Sequence, residues 1–276
     1  MNEFRIAIRE QISSFRKELN VAIRDAMEPA RAIVEKLQNL NLDFGALELD
    51  FDKIEEKIKE ENNIIINYKS VITELGYPPI LEVPIEFVEK IVYDYKKHNI
   101  EYVAEYIDEI VLDYHNEGYL QKMAHKWENK KLVKNRIHIL RNVIKCHNQQ
   151  MYDASIPTLL PQLEGIIADA FGHTGKFTGY HMKTYLEHLL INNLDKDEFT
   201  LNDVLHAYYT GNLLVGFGFG EQITSDVSRN AILHGGDTQY GKQLNSLKLI
   251  LVFDYLLTVL HDVSEDVIQA AKQEIK

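Results

Sequence analysis

Apolar residues recur three and four positions apart along most of the chain, the spacing that places side chains on one face of a helix. Val103, Ile107, Ile110 and Val111 show this pattern near the middle of the sequence. No segment shows the strict alternation of apolar and polar residues between turn residues that is typical of a β-hairpin. The pattern therefore predicts an all-α protein.

Turn residues and prolines divide this pattern into a series of predicted helices. Ser155 is the expected N-cap of one helix, with Pro157 in its first turn. Gly216 to Gly220 is expected to be a loop, because glycine alternates with phenylalanine there. The predicted helices cover residues 6–40 in two stretches, 54–75, 84–98, 100–115, 119–145, 155–171, 180–193, 201–214, 221–234 and 243–261.

Proline positions also suggest how the chain is organised. The Pro78-Pro79 pair cannot lie inside a helix and is the best candidate boundary. We expect a helical N-terminal region (residues 1–80), a helical middle region (81–150) and a C-terminal helical bundle (151–276). The N-terminal region fits a sensor, an autoinhibitory arm or a dimerisation element, and its sequence does not choose among them.

Composition limits the compartment and the class of protein. A length of 276 residues with 45% hydrophobic residues is enough to bury a full core. The single cysteine, Cys146, excludes an intramolecular disulfide and fits a reducing compartment. The residues after Met1 lack the apolar run of a signal peptide, and the apolar stretch from Leu247 to Leu260 is interrupted by charges. We therefore expect a cytoplasmic protein with no membrane partner.

Charge is segregated along the chain although its sum is −12. Residues 43–61 are acidic, whereas residues 122–145 carry eight lysines and arginines and one acid, Glu128. A basic face of this kind can contact phosphates, but it can equally be a solubilising face or the partner of the acidic segment. The candidate RNA-binding residues are Lys122, Lys126, Lys130, Lys134 and Arg141.

The candidate chemistry lies in the segment from Ser228 to Gly235. Arg229 and His234 are separated by four residues, so on a helix they would project from adjacent turns. RNA cleavage by transesterification needs a group that takes the proton from a ribose 2′-OH and a fixed cation that stabilises the phosphate. Arg141 and His147 form a second pair of this type, and spacing alone does not separate the two.

Sequence context favours the first pair. The chain contains Leu160-Pro161-Gln162-Leu163-Glu164-Gly165, then Arg229-Asn230-Ala231-Ile232-Leu233-His234-Gly235, and then an apolar last stretch from Asn245 to Leu251. Over roughly residues 150–262 it resembles the HEPN superfamily. The resemblance implies a helical bundle that forms a homodimer, in which motifs from two protomers build one metal-independent endoribonuclease site. Many members of the superfamily are toxins or effectors of abortive infection and phage defence.

The resemblance also implies a role for each matched residue. His234 would be the general acid or base, Arg229 would stabilise the phosphate, and Asn230 would orient either group. Glu164 would support Arg229, and Tyr240 would lie close enough to touch substrate. The expected partners are RNA, a second copy of the chain, and an antitoxin or a phage-derived trigger protein. We expect no cofactor and no metal, because the histidines lack metal-binding spacing.

Two other hypotheses remain open from the sequence. The chain could be a non-catalytic HEPN module that binds RNA or a nucleotide and acts through a protein partner. It could also be a helical scaffold or regulator in which the motif match is accidental. RNA cleavage distinguishes the first hypothesis from these two, and RNA affinity distinguishes them from each other.

Overall fold

The computed structural model describes residue 17 and residues 19–29, 31–32, 51–191 and 202–275. Every regular element in these ranges is helical, and no strand occurs in them. This confirms the all-α prediction. Residues 19–29 lie in a helical segment, whereas most of the predicted N-terminal helices over residues 6–40 and the acidic residues 43–50 lie outside the described ranges.

From residue 51 onward the described chain forms twelve α-helices with two short helical turns of other types. The turns are a 3-10 turn at Lys131–Val133 and a π-helical turn at Tyr209–Leu213. The α-helices are α1 (Phe51–Glu74), α2 (Ile85–Lys97), α3 (Ile100–Ala104), α4 (Ile107–Tyr114), α5 (Glu117–Glu128), α6 (Ile137–Asn148), α7 (Tyr152–Ala170), α8 (Gly179–Leu190), α9 (Asn202–Tyr208), α10 (Arg229–Leu233), α11 (Gln243–His261) and α12 (Glu265–Ile275).

Helices α7 and α11 form the centre of the packing, with α6 against α7 and α12 against α8. Buried residues from Tyr68 to Ala271 make one connected hydrophobic cluster. Trp127 joins α5 to this centre, because its Nε1 donates a hydrogen bond of 2.7 Å to Asp254 and its ring meets Phe253 edge-on. The predicted division at residues 80 and 150 stays a prediction.

Helix α11 is long and apolar enough to cross a membrane by length and composition. In the structure 61% of its most apolar window is buried inside the protein. Leu249, Ile250 and Phe253 are fully buried among neighbouring helices. The burial explains the apolar sequence of this helix by packing in the core.

Several predicted boundaries are confirmed by the structure. Helix α1 ends at Glu74, before Gly76, which adopts a left-handed φ of +77° that glycine favours. Helix α2 follows Pro84 as its N-cap, and α11 occupies the predicted range of 243–261. The loop at Gly216 to Gly220 is also confirmed.

The predicted long helix over residues 119–145 is wrong, because it is divided between α5, the 3-10 turn and α6. The chain turns at Arg136, whose guanidinium donates hydrogen bonds to Asp169 at 2.7 Å and to Gln162 at 3.1 Å. Arg136 is thereby turned towards α7 and lies over Gly165. The predicted helix over residues 100–115 is likewise divided, with Tyr106 between α3 and α4 donating to Asp94 at 2.8 Å.

The expected N-cap at Ser155 is also wrong. Helix α7 begins at Tyr152, and Ser155 is buried inside it, donating a hydrogen bond of 3.1 Å to the Val143 carbonyl. Pro157 therefore lies within the helix, where it cannot donate to the carbonyl of Asp153 four residues earlier. Tyr240 takes that place, because its hydroxyl donates to the Asp153 carbonyl at 3.3 Å.

The predicted helix over residues 221–234 is mostly loop, and only α10 is helical. Ser225 forms a turn instead, in which its Oγ accepts a hydrogen bond of 3.2 Å from the Val227 amide. Ser228 then caps α10 by accepting a hydrogen bond of 3.2 Å from the Ala231 amide. Ser225 and Ser228 each bond a nearby backbone amide, which explains why the helix starts only at Arg229.

Candidate active site

Arg229 is the first residue of α10 and is fixed by two side chains. Its Nε donates a hydrogen bond to the Glu164 carboxylate of α7, and its Nη1 donates to Asn230 Oδ1 at 2.9 Å. The Arg229 side chain is 29% exposed and the Glu164 side chain 21% exposed, so this ion pair is half-buried. The structure thus brings together three of the predicted site residues.

Asn230 connects the same cluster to the loop that follows the π-helical turn. Its Nδ2 donates a hydrogen bond of 3.1 Å to the carbonyl of Val215. The amide oxygen of Asn230 accepts from Arg229, so both ends of the side chain are used. The remaining terminal nitrogen of Arg229, Nη2, donates to no residue in the ranges that the structure describes, and it is therefore available to an anion.

A small cleft of about 140 Å³ opens beside this cluster. Its wall includes Lys183, an exposed residue of α8 that forms no ion pair within the described part of the chain. The cleft thus contains the Arg229–Glu164 pair, in which the charges offset each other, and one further cation. The residues lining it are Glu164, Phe177, Thr178, Gly179, Met182, Lys183, Leu214, Arg229 and Asn230.

His234 does not line this cleft. It is the C-cap residue of α10, its side chain is exposed, and its ring makes no hydrogen bond to the described residues. Five positions along a helix rotate a side chain by about 140° about the axis, so Arg229 and His234 project from different sides of α10. Within one chain, the structure therefore places the cation and the imidazole apart.

The Gly216–Gly220 loop packs beside the turn that follows His234. The Phe217 ring lies so close to Gly236 that a Cβ added there would be 1.8 Å from the Phe217 Cζ. Phe219 meets the Phe217 ring edge-on at 4.9 Å and is 76% exposed. The sequence predicted a loop here, but not that its phenylalanines lie beside the turn after His234.

Tyr240 lies away from the Arg229 cluster. Its hydroxyl bonds the start of α7, and its carbonyl accepts a hydrogen bond of 2.9 Å from Asn245 Nδ2. Burial raises the pKa of the Tyr240 phenol, which keeps it protonated as a donor. In this structure Tyr240 has a structural role, and substrate contact stays a prediction.

The second Arg–His pair has a different environment. Arg141 is exposed on α6 and forms an ion pair of 2.8 Å with Glu128. His147 is 5% exposed, and its Nδ1 lies 2.8 Å from Ser246 Oγ. Burial lowers the pKa of His147 from 6.5 to about 4. His147 is therefore a core residue, whereas Arg141 belongs to the surface.

The predicted basic face is a surface of several elements. Lys122 and Lys126 are exposed on α5, Lys134 is exposed beyond the 3-10 turn, and Lys130 is half-buried. A groove of about 420 Å³ runs between α5 and α6 and is lined by both Arg141 and Glu128. The described part of the acidic segment pairs elsewhere, since Asp52 bonds Arg31 at 2.7 Å.

No group of three or more histidine, cysteine, aspartate or glutamate side chains in the described ranges could hold a metal ion.

Comparison with known proteins finds no family model that matches the chain, no similar characterised protein and no similar solved structure. The case for a function therefore depends on the residues of the site.

Proposed function

We propose that this chain is a HEPN-type endoribonuclease that cleaves RNA without a metal ion and acts as a toxin or a phage-defence effector. The observation that supports it most is the geometry of Arg229. Glu164 and Asn230 hold this guanidinium in one orientation, and Nη2 remains for a phosphate oxygen beside a cleft. A pre-oriented cation costs no reorganisation when negative charge develops on the phosphate.

The proposed reaction is attack of the ribose 2′-oxygen on the adjacent phosphorus. The P–O5′ bond breaks, the 2′-OH proton goes to a general base, and the leaving 5′-oxygen receives a proton. The products are a 2′,3′-cyclic phosphate and a 5′-hydroxyl. His234 is the proposed acid or base, because it is exposed and its ring nitrogens are not used by the described residues.

The separation of Arg229 from His234 within one chain supports a site built from two protomers. Arg229 of one copy and His234 of the other would then act on one phosphate in a homodimer. The same separation is the observation that favours the alternative function, a non-catalytic module that binds RNA or a nucleotide. In that case Arg229 would bind phosphate and His234 would have no chemical role.

The test is cleavage of total RNA by purified protein in excess EDTA. We expect cleavage with 2′,3′-cyclic phosphate ends in the wild type and loss of it in both Arg229→Ala and His234→Ala. The matched controls are Arg24→Ala and His261→Ala, which remove an exposed arginine and an exposed histidine elsewhere and should leave the rate unchanged.

A mixing experiment tests whether the site spans two protomers. Arg229→Ala and His234→Ala chains, each inactive alone, are unfolded together and refolded as mixed dimers. Return of part of the wild-type rate supports a shared site. RNA binding without cleavage by the wild type would favour the binding module. Absence of any RNA affinity would contradict both the endoribonuclease and the RNA-binding module.

A further inference from the structure

A second, larger cleft lies beside the π-helical turn Tyr209–Leu213. Its volume is about 470 Å³, within the range of pockets that bind small molecules. It is bounded by the end of α1 with Gly76, by the π-helical turn, by residues 223–227 and by Lys248 of α11. π-Helical turns are rare and are often found at functional sites. None of the proposed catalytic residues lines this cleft.

Lys248 is a half-buried cation without an ion pair in the described part of the chain. Its Nζ lies 4.4 Å from the centre of the Tyr77 ring and packs over Gly76. Burial lowers the pKa of the Lys248 ammonium, the charges of Asp108 and Asp226 oppose this effect, and the charge of Lys242 adds to it. A cation that has left water without a carboxylate partner is costly unless an anion joins it.

Backbone amides add hydrogen-bond donors to the same wall. The N–H groups of Ile223, Thr224, Ser225 and Asp226 donate to no atom in the described residues. Ser225 is only 6% exposed, and buried amides without a partner are rare in proteins. Successive backbone amides in a turn can form a concave site for an anion. Residues 223–226 line the same cleft as Lys248, so both can supply contacts to an anion bound there.

Two carboxylates line the cleft as well. Asp226 is exposed and lies 3.5 Å from Lys242, and Glu74 also has an interaction of its own. Thr73, Thr224 and Asn212 are further polar residues of the lining. The Thr73 hydroxyl already donates to the Lys69 carbonyl, and the Asn212 amide to the Tyr208 carbonyl. A ligand that fits these groups carries an anion for Lys248 and hydroxyl or amino groups for the acidic side of the wall.

We propose that this cleft binds a small phosphorylated molecule, with its phosphate between Lys248 Nζ and the amides of residues 223–226. A phosphate fits this wall better than a carboxylate, because its oxygens can accept more hydrogen bonds at once. The volume leaves space for the rest of a sugar phosphate or mononucleotide. Residue 227 leads directly to the cap Ser228 and to Arg229, so the ligand would order the segment from which Arg229 projects.

Binding of inorganic phosphate at constant ionic strength, followed by calorimetry, tests this site without any need for ribonuclease activity. We expect Lys248→Met to weaken binding by about tenfold or more. Lys131→Met removes the same charge from an exposed turn and should bind as the wild type does. Asp226→Asn removes a repulsive charge from the cleft and should tighten binding.

Hydrogen exchange gives a second readout in the same samples. Phosphate should slow exchange at residues 223–226 in the wild type and not in Lys248→Met, and AMP should protect the segment at lower concentration than phosphate does. Equal affinity for acetate would identify a carboxylate site and contradict the phosphate assignment. Absence of binding at millimolar phosphate, or equal binding by the wild type and Lys248→Met, would overturn the proposal.

Discussion

The two Arg–His pairs of this chain have nearly the same sequence spacing and opposite surroundings. Arg229 is held by Glu164 and Asn230 at the edge of a cleft, and its companion His234 is exposed. At the other pair, Arg141 is exposed with a surface ion pair, and its companion His147 is buried against Ser246. The partners of each side chain, rather than the spacing, therefore determine which pair could act on a substrate.

The pH dependence of stability should report the buried histidine most strongly. The pKa of His147 in the folded protein, about 4, lies below its unfolded value of 6.5, so between these values the unfolded chain binds more protons. The contribution of His147 to the free energy of unfolding is therefore fully present above pH 6.5. It falls by up to about 3 kcal/mol as pH falls towards 4. Urea unfolding from pH 7 to pH 4 measures it.

His147→Gln should remove most of this pH-dependent loss, whereas His234→Gln should leave it in place. Burial also lowers the pKa of His115, and that contribution is common to both variants. Equal pH profiles for the two variants would contradict the difference between a core histidine and a surface histidine.

The two ion pairs should differ in their contribution to the free energy of unfolding. Glu164→Ala leaves the half-buried Arg229 guanidinium without its carboxylate and should cost about 1–3 kcal/mol. Glu128→Ala breaks an exposed pair, in which Arg141 is 60% exposed, and should cost less than about 1 kcal/mol. Urea unfolding at pH 7 compares them, and a larger loss for Glu128→Ala would reverse the assignment.

The smallest expected effect is on the salt dependence of RNA binding, compared between lysine variants and the wild type. Lys183→Ala removes the further cation of the Arg229 cleft and should make the negative slope of log K against log salt less steep by about 1. Lys96→Ala removes an exposed lysine from α2 and should leave the slope unchanged. Lys126→Ala tests the predicted basic surface in the same assay. Equal slopes for Lys183→Ala and the wild type would show that bound RNA does not contact Lys183 in this cleft.

The sequence predicted the fold class and most helix positions because apolar periodicity records which face of a helix is buried. It failed where side chains bond the backbone or a distant helix. Ser225 and Ser228 stop the predicted helix before Arg229, and Arg136 turns towards Asp169 between α5 and α6. Spacing gives no information about such tertiary partners.

The candidate site was predicted only in part from the sequence. Pairing of Glu164 with Arg229 was expected from the resemblance and is present in the structure. The structural role of Tyr240 was not, because it depends on the carbonyl that Pro157 leaves free. The burial of His147 was also missed, although His147 lies four residues after Val143 and three after Ile144, which places it on the apolar side of α6.

The proposed role of His234 in RNA cleavage is tested by comparing the cleavage rates of His234→Ala and His147→Asn, each corrected for its folded fraction. Loss of a general acid or base slows a reaction by about 10²–10⁴-fold. We predict a loss of this size for His234→Ala and a rate close to wild type for His147→Asn. A full rate in His234→Ala, or a selective loss in His147→Asn, would contradict it.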